Sequence, residues 1–86
     1  MNEIDFTRIE LIDTISTNGR TSKQLTLTSW NGQKPKLDLR TWKDTQTGLE
    51  PCRGITLNRE EAEALCDALK SYLTRTERET VVQQDG

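Results

Sequence analysis

At 86 residues and 31% hydrophobic content, the chain has room for one domain and little apolar material for a deep core; a domain this size buries roughly 60–65% of its unfolded surface. No stretch approaches the roughly 18 apolar residues of a membrane span, and no apolar segment behind a basic start reads as a signal peptide. Two cysteines without a histidine make no metal site, and the formal charge of −2 speaks against a nucleic-acid partner only as an average. The expectation is a cytoplasmic protein with reduced thiols, no cofactor and no membrane contact, for which dimerisation would thicken a thin core.

Met1 to Glu3 read as a frayed start. Ile4 to Thr17 is rich in isoleucine and threonine and predicts a first strand. Its apolar residues change phase: Phe6 and Ile12 share one face, while Ile9, Leu11 and Ile15 share the other. A bulge or bend near Leu11-Ile12 reconciles them. Asn18-Gly19 then signals a turn.

Lys23 to Trp30 predicts a second strand and Lys36 to Lys43 a third, joined through Asn31-Gly32 and Pro35. Side chains alternate along a strand. Leu25, Leu27, Leu37 and Leu39 therefore share a face expected to be the core. Thr26, Thr28, Trp30, Lys36, Asp38, Arg40 and Trp42 share the opposite face, expected to meet solvent. Indoles grouped in water call for a functional reason. Asp44 to Cys52 is polar, with Gly48 and Pro51, and reads as a loop. Arg53 to Leu57 predicts a short fourth strand, with Ile55 and Leu57 turned to the core.

Asn58 is a good N-cap for the helix that follows, and Glu61 completes a capping box. At about 100° per residue, Ala62, Leu65, Cys66, Leu69, Tyr72 and Leu73 form one stripe that Ala64 and Ala68 widen to roughly 200°. One sheet does not need so wide a face. A partner helix would account for the excess and would meet Ala64, Leu65, Ala68, Leu69 and Tyr72. After Arg75 the polar run TERETVVQQDG reads as a disordered tail. Residues 1–75 are thus the expected domain and 76–86 the tail.

The charges are segregated. Residues 20–59 hold eight basic and three acidic side chains, +5, leaving four basic and eleven acidic elsewhere, −7. A local basic patch sets the potential that a phosphate feels at contact. The acidic helix reads as a solvated face, and the singly scattered glycines with no histidine give catalysis little support.

The element order β-β-β-β-α places the chain in the α+β class. Trp30-Asn31-Gly32, Leu37-Asp38-Leu39-Arg40 with Trp42, a loop with Gly48 and Pro51, and Arg53-Gly54-Ile55-Thr56-Leu57-Asn58 before the helix together resemble the family of the transcriptional coactivator positive cofactor four, and its bacterial YdbC-type members. The resemblance spans about residues 23 to 73. It implies a four-stranded antiparallel curved sheet backed by one helix, a homodimer through the helices, and single-stranded DNA lying on the sheets. Carried over by position, Trp30 is the stacking aromatic, Arg40 the strand arginine and Arg53 the basic residue before Gly-Ile. Trp42-Lys43 stands where the coactivator has two aromatics, and its long serine-rich arm is absent.

The residues themselves suit that ligand. Single strands are held without sequence preference by rings that stack on bases and cations along the backbone. Trp30 and Trp42 supply rings. Lys23, Lys34, Lys36, Arg40, Lys43 and Arg53 supply cations, and Thr26 and Thr28 let a backbone approach. The expected function is non-catalytic single-stranded DNA binding with little sequence preference, in transcription, replication or repair and in the company of transcription or replication machinery, with RNA as an alternative ligand. The competing reading is a protein-interaction module that uses the same tryptophan face.

Overall fold

The computed structural model describes the backbone of residues 5–83 and the side chains of residues 5–75. Four strands, β1 (Phe6–Asn18), β2 (Thr21–Trp30), β3 (Lys36–Thr45) and β4 (Gly48–Leu57), precede one helix, α1 (Arg59–Gln83). The strands pair antiparallel in the order β1-β2-β3-β4 and form one curved, open sheet. The α+β expectation therefore holds.

The phase change in β1 is resolved by bulges. Its pairing with β2 slips between Arg8 and Glu10, Leu11 and Asp13, and Thr14 and Ser16. Each extra residue bends the strand and adds right-handed twist. Ile9, Leu11, Ile12 and Ile15 are nonetheless all exposed. The expected frayed start and Ile4 lie outside the described residues.

The loop expected from Asp44 to Cys52 is instead most of a second hairpin. Thr45 pairs with Gly48 around a two-residue turn, and Gly48 takes a φ of 123° that other residues avoid. The Thr45 hydroxyl closes the turn by donating to the Gly48 carbonyl at 2.7 Å. Pro51 is accommodated because β4 is an outer strand. A bulge follows it, since Arg40 pairs with Gly54 while Trp42 pairs with Pro51.

The helix starts as its sequence dictates. Asn58 Oδ1 accepts from the Glu61 amide at 2.7 Å, and Glu61 Oε1 accepts from the Asn58 amide at 2.9 Å. This reciprocal box satisfies two donors that the first helical turn leaves orphaned. The helix continues to Gln83, past the Arg75 boundary expected from polarity. Half of the residues from Thr76 to Gln83 are good helix formers, and no glycine or proline interrupts the run before Gly86. Residues 84–86, the rest of the expected tail, lie outside the described residues.

The expected core is inverted. Thr26, Thr28, Asp38 and Trp42 are fully buried and Gln24 nearly so, whereas Leu25, Leu27, Leu37 and Leu39 are only half-buried. The face that carries Asp38, here called the concave face, folds its long side chains over its small ones, and the opposite leucine face, the convex one, has little of its own chain to cover it. Ile55, expected inside, is 53% exposed. The helix meets the sheet only lightly, along β4. Ala62 and Leu65 are the half-buried members of its stripe, while Leu69, Tyr72 and Leu73 are each at least 50% exposed.

Candidate nucleic-acid interface

The concave face is built around Asp38. Its neighbours Thr26, opposite on β2, and Thr28 carry small side chains that leave space above the sheet. Their hydroxyls bond each other at 2.7 Å, so neither is left unpaired beneath the rings. Trp30, at the end of β2, reaches back over this space and donates its indole N–H to Asp38 Oδ2 at 3.1 Å. Arg40 grips the same carboxylate with two bonds, Nε to Oδ1 at 2.6 Å and Nη2 to Oδ2 at 2.8 Å. Its remaining nitrogen, Nη1, donates to the Cys52 carbonyl across the β4 bulge at 2.9 Å. The guanidinium also lies 4.6 Å from the centre of the Trp30 ring.

Arg40 can lie so close to β4 because its partner there is Gly54. A Cβ on Gly54 would fall 1.8 Å from Arg40 Cβ and 2.5 Å from the Leu39 carbonyl oxygen. Asp38 in turn neutralises Arg40. The expected phosphate-binding arginine is thus a fixed component of the sheet, with a side chain only 15% exposed.

Trp42 lies beneath the cluster. It stacks on Trp30 with centroids 6.2 Å apart and planes 14° apart. Phe6 packs on both indoles, at 5.6 Å and 5.3 Å. Arg8 places its guanidinium 4.6 Å over the Trp42 ring and bonds Gln24. Burial pushes the Arg8 guanidinium below its usual pKa, because the charged form loses water. Arg8 Nε and Trp42 Nε1 are buried donors without an acceptor among the described residues. Since Trp42 has no exposed surface, it cannot stack on a base in this conformation. Thr26 and Thr28 are likewise sealed from a ligand's backbone, contrary to expectation.

The expected cations divide between two faces. Lys36 alternates with Asp38 and Arg40 and so flanks the concave cluster, with Lys34 next to it in the turn. Lys23 and Lys43 alternate with the leucines and belong to the convex face. Arg53 sits in the β4 bulge. These five are exposed, and none forms an ion pair among the described residues.

Trp30, Gln33, Lys34, Lys36, Arg40 and Thr56 border a cleft of about 200 Å³ at the rim. A wider cleft of about 670 Å³ separates the β2–β3 turn from the start of the helix, between Pro35, Leu37, Leu57 and Cys66. Sequence reasoning missed five contributors to the concave face: Phe6, Arg8, Gln24, Gln33 and Thr56. Arg8 carried one signal, being a lone cation in an otherwise acidic strand. Thr56 could have been placed by its register with Asp38, but Gln33 had no signal.

Comparison with known proteins bears on this face. Residues 18–68 match the family described as Transcriptional Coactivator p15 (PC4). A protein of Treponema pallidum (strain Nichols), described as uncharacterized, is 41% identical over 59 residues, 67% of each chain.

Proposed function

Because this chain belongs to the Transcriptional Coactivator p15 (PC4) family, a family of nucleic-acid-binding domains, we propose that it binds single-stranded DNA, without catalysis, as a homodimer. The observation that carries the proposal is the rim of the concave face. Trp30 is half-buried there and held rigid by Asp38 and Arg40, beside the exposed ammonium groups of Lys34 and Lys36. A ring held in place beside free cations suits a ligand that offers bare bases and regular phosphates. Trp30 and the guanidinium laid on it supply the stacking surface, and Lys34, Lys36 and Arg53 supply the phosphate contacts. Arg40 acts as a brace for the ring, and Trp42 as its footing.

The dimer is supported by what a single chain leaves open. The chain exposes 6906 Å², against about 5,200 Å² for a compact monomer of its mass. Its radius of gyration is 16.4 Å, against about 12 Å for a compact domain of this length. The excess area falls within the range that obligate homodimers bury per subunit. The convex leucines and the outer stripe of α1 are the apolar surfaces available to a second copy.

Titration with oligo-dT, followed by tryptophan fluorescence, tests the ligand. Quenching that weakens as salt rises is expected, with duplex and RNA as competitors. No quenching, or quenching indifferent to salt, refutes the stacking model. Light scattering at micromolar concentration should return twice 9.8 kDa, and the monomer mass would refute the dimer.

A further inference from the structure

We propose that the small cleft beside Trp30 selects a keto nucleobase (guanine, thymine or uracil) over an amino base at one position of the bound strand. This rests on the single-strand reading above. At about 200 Å³ the cleft is smaller than the roughly 300–1,000 Å³ sites of drug-sized ligands. It accommodates one ring system, with the sugar and phosphate outside.

The chemistry of its lining is uneven. Lys34 and Lys36 contribute unpaired cations, and among the described residues no carboxylate borders the cleft. Asp38, the nearest register partner of Thr56, is fully committed to Arg40 and Trp30. Ammonium, guanidinium and indole groups only donate, so the side-chain acceptors at the cleft are the Gln33 carboxamide oxygen and the Thr56 hydroxyl. A keto base offers a carbonyl acceptor beside a ring N–H donor. An amino base offers the reverse, and its NH₂ group would point positive hydrogens at the lysines. Donating cations next to one or two neutral acceptors therefore complement the keto edge. The same logic pairs lysine with guanine O6 in duplex readout.

Gln33 is also held in advance of binding. Asn31 and Gly32 take φ values of 54° and 74°, which turn the chain tightly after Trp30. The Gln33 amide donates to the Trp30 carbonyl at 2.9 Å. The Gln33 carbonyl accepts from the Ser29 hydroxyl at 2.6 Å. The Asn31 amide bonds the Asp5 carbonyl at 2.6 Å and ties the turn to the edge of β1. The backbone that carries Gln33 is therefore fixed relative to the ring, so reading an edge requires ordering one side chain only.

The test compares dT, dU and dC oligomers of equal length by fluorescence anisotropy at fixed salt and mildly alkaline pH. These pyrimidines match in ring size, so the edge decides. The expected result is dT and dU binding alike, and about five- to tenfold tighter than dC, the low end for one edge-read base. In the Gln33→Ala/Thr56→Val double variant the dT:dC ratio should fall by at least half, the lysines keeping the remainder. Equal binding of dT and dC overturns the proposal and leaves the single-strand reading standing. So does a ratio that falls by less than half in the double variant, which would reflect strand flexibility, or a dU that behaves like dC, which would reflect the methyl group. Failure to bind any of the three oligomers overturns the single-strand reading itself.

Discussion

Asp38→Asn removes one oxygen atom from the centre of the concave face, and its cost can be worked from the geometry. The carboxylate accepts three bonds, two from Arg40 and one from Trp30, and its residue is fully buried. The asparagine carbonyl can take over the Oδ2 position and keep the Arg40 Nη2 and Trp30 bonds. Its NH₂ group must then face Arg40 Nε–H, donor against donor. One charge-assisted bond is lost, worth about 1.5–3 kcal/mol, and a mostly buried guanidinium loses its counter-charge. Breaking one side of a buried pair costs about 3–5 kcal/mol. Arg40 retains some contact with water, so we expect about 3 kcal/mol. For a domain of this size that lowers Tm by about 12–24 °C. The assay is thermal unfolding by circular dichroism at one fixed protein concentration, because any association would contribute to the apparent stability. Arg40→Met and the double variant complete the cycle. The double variant should cost about 2 kcal/mol less than the sum of the singles, since neither partner is left stranded. A loss below about 1 kcal/mol for Asp38→Asn, or strict additivity in the cycle, would refute the view that this pair braces the ring.

Gly54→Ala should destabilise by about 2–3 kcal/mol, because its methyl group would have to part β3 from β4 at Arg40; a urea midpoint within error of wild type would contradict this. Asn58→Ala should cost about 1 kcal/mol through loss of the bond to the Glu61 amide, read from the same urea curves. Lys34→Gln should weaken oligo-dT binding and reduce the slope of log K against log salt by about 0.7 per site, as one phosphate contact does on a single strand. Leu69→Glu should shift light scattering towards the monomer mass, and an unchanged dimer would move the seam away from the helix stripe.

The order of the elements, the alternation of the third strand and the helix cap were legible in the chain, because each depends on neighbours within a few residues. Asn58 with Glu61 formed the box its spacing predicts, and Leu37-Asp38-Leu39-Arg40 alternated as its pattern requires. What failed depended on curvature. Alternation says which residues share a face and says nothing about which face is concave. Trp42 was therefore placed in solvent when Phe6 and Arg8, some 35 positions earlier in the chain, in fact cover it. Arg40 was read chiefly as a phosphate contact, with an ion pair to Asp38 or Glu50 as the alternative, and the pair with Asp38, two positions away, is what the sheet forms. A strand's i and i+2 side chains point the same way, and here they lie close enough to pair. Gly48 and Pro51 disguised a strand as a loop because both are normally turn residues, and only the outer position of β4 makes them compatible with pairing.

The three slips in β1 have a consequence for how copies of this chain can meet. An outer strand with regular spacing presents a ladder of amide and carbonyl groups that another chain can extend indefinitely. Interrupted three times, β1 offers no long run of evenly spaced partners, and Pro51 with the bulge beside it breaks the opposite border in the same way. Long edge-to-edge pairing is thereby denied to both borders of the sheet. The chain can thus carry exposed isoleucines and leucines and still be kept from the open-ended stacking of fibrils.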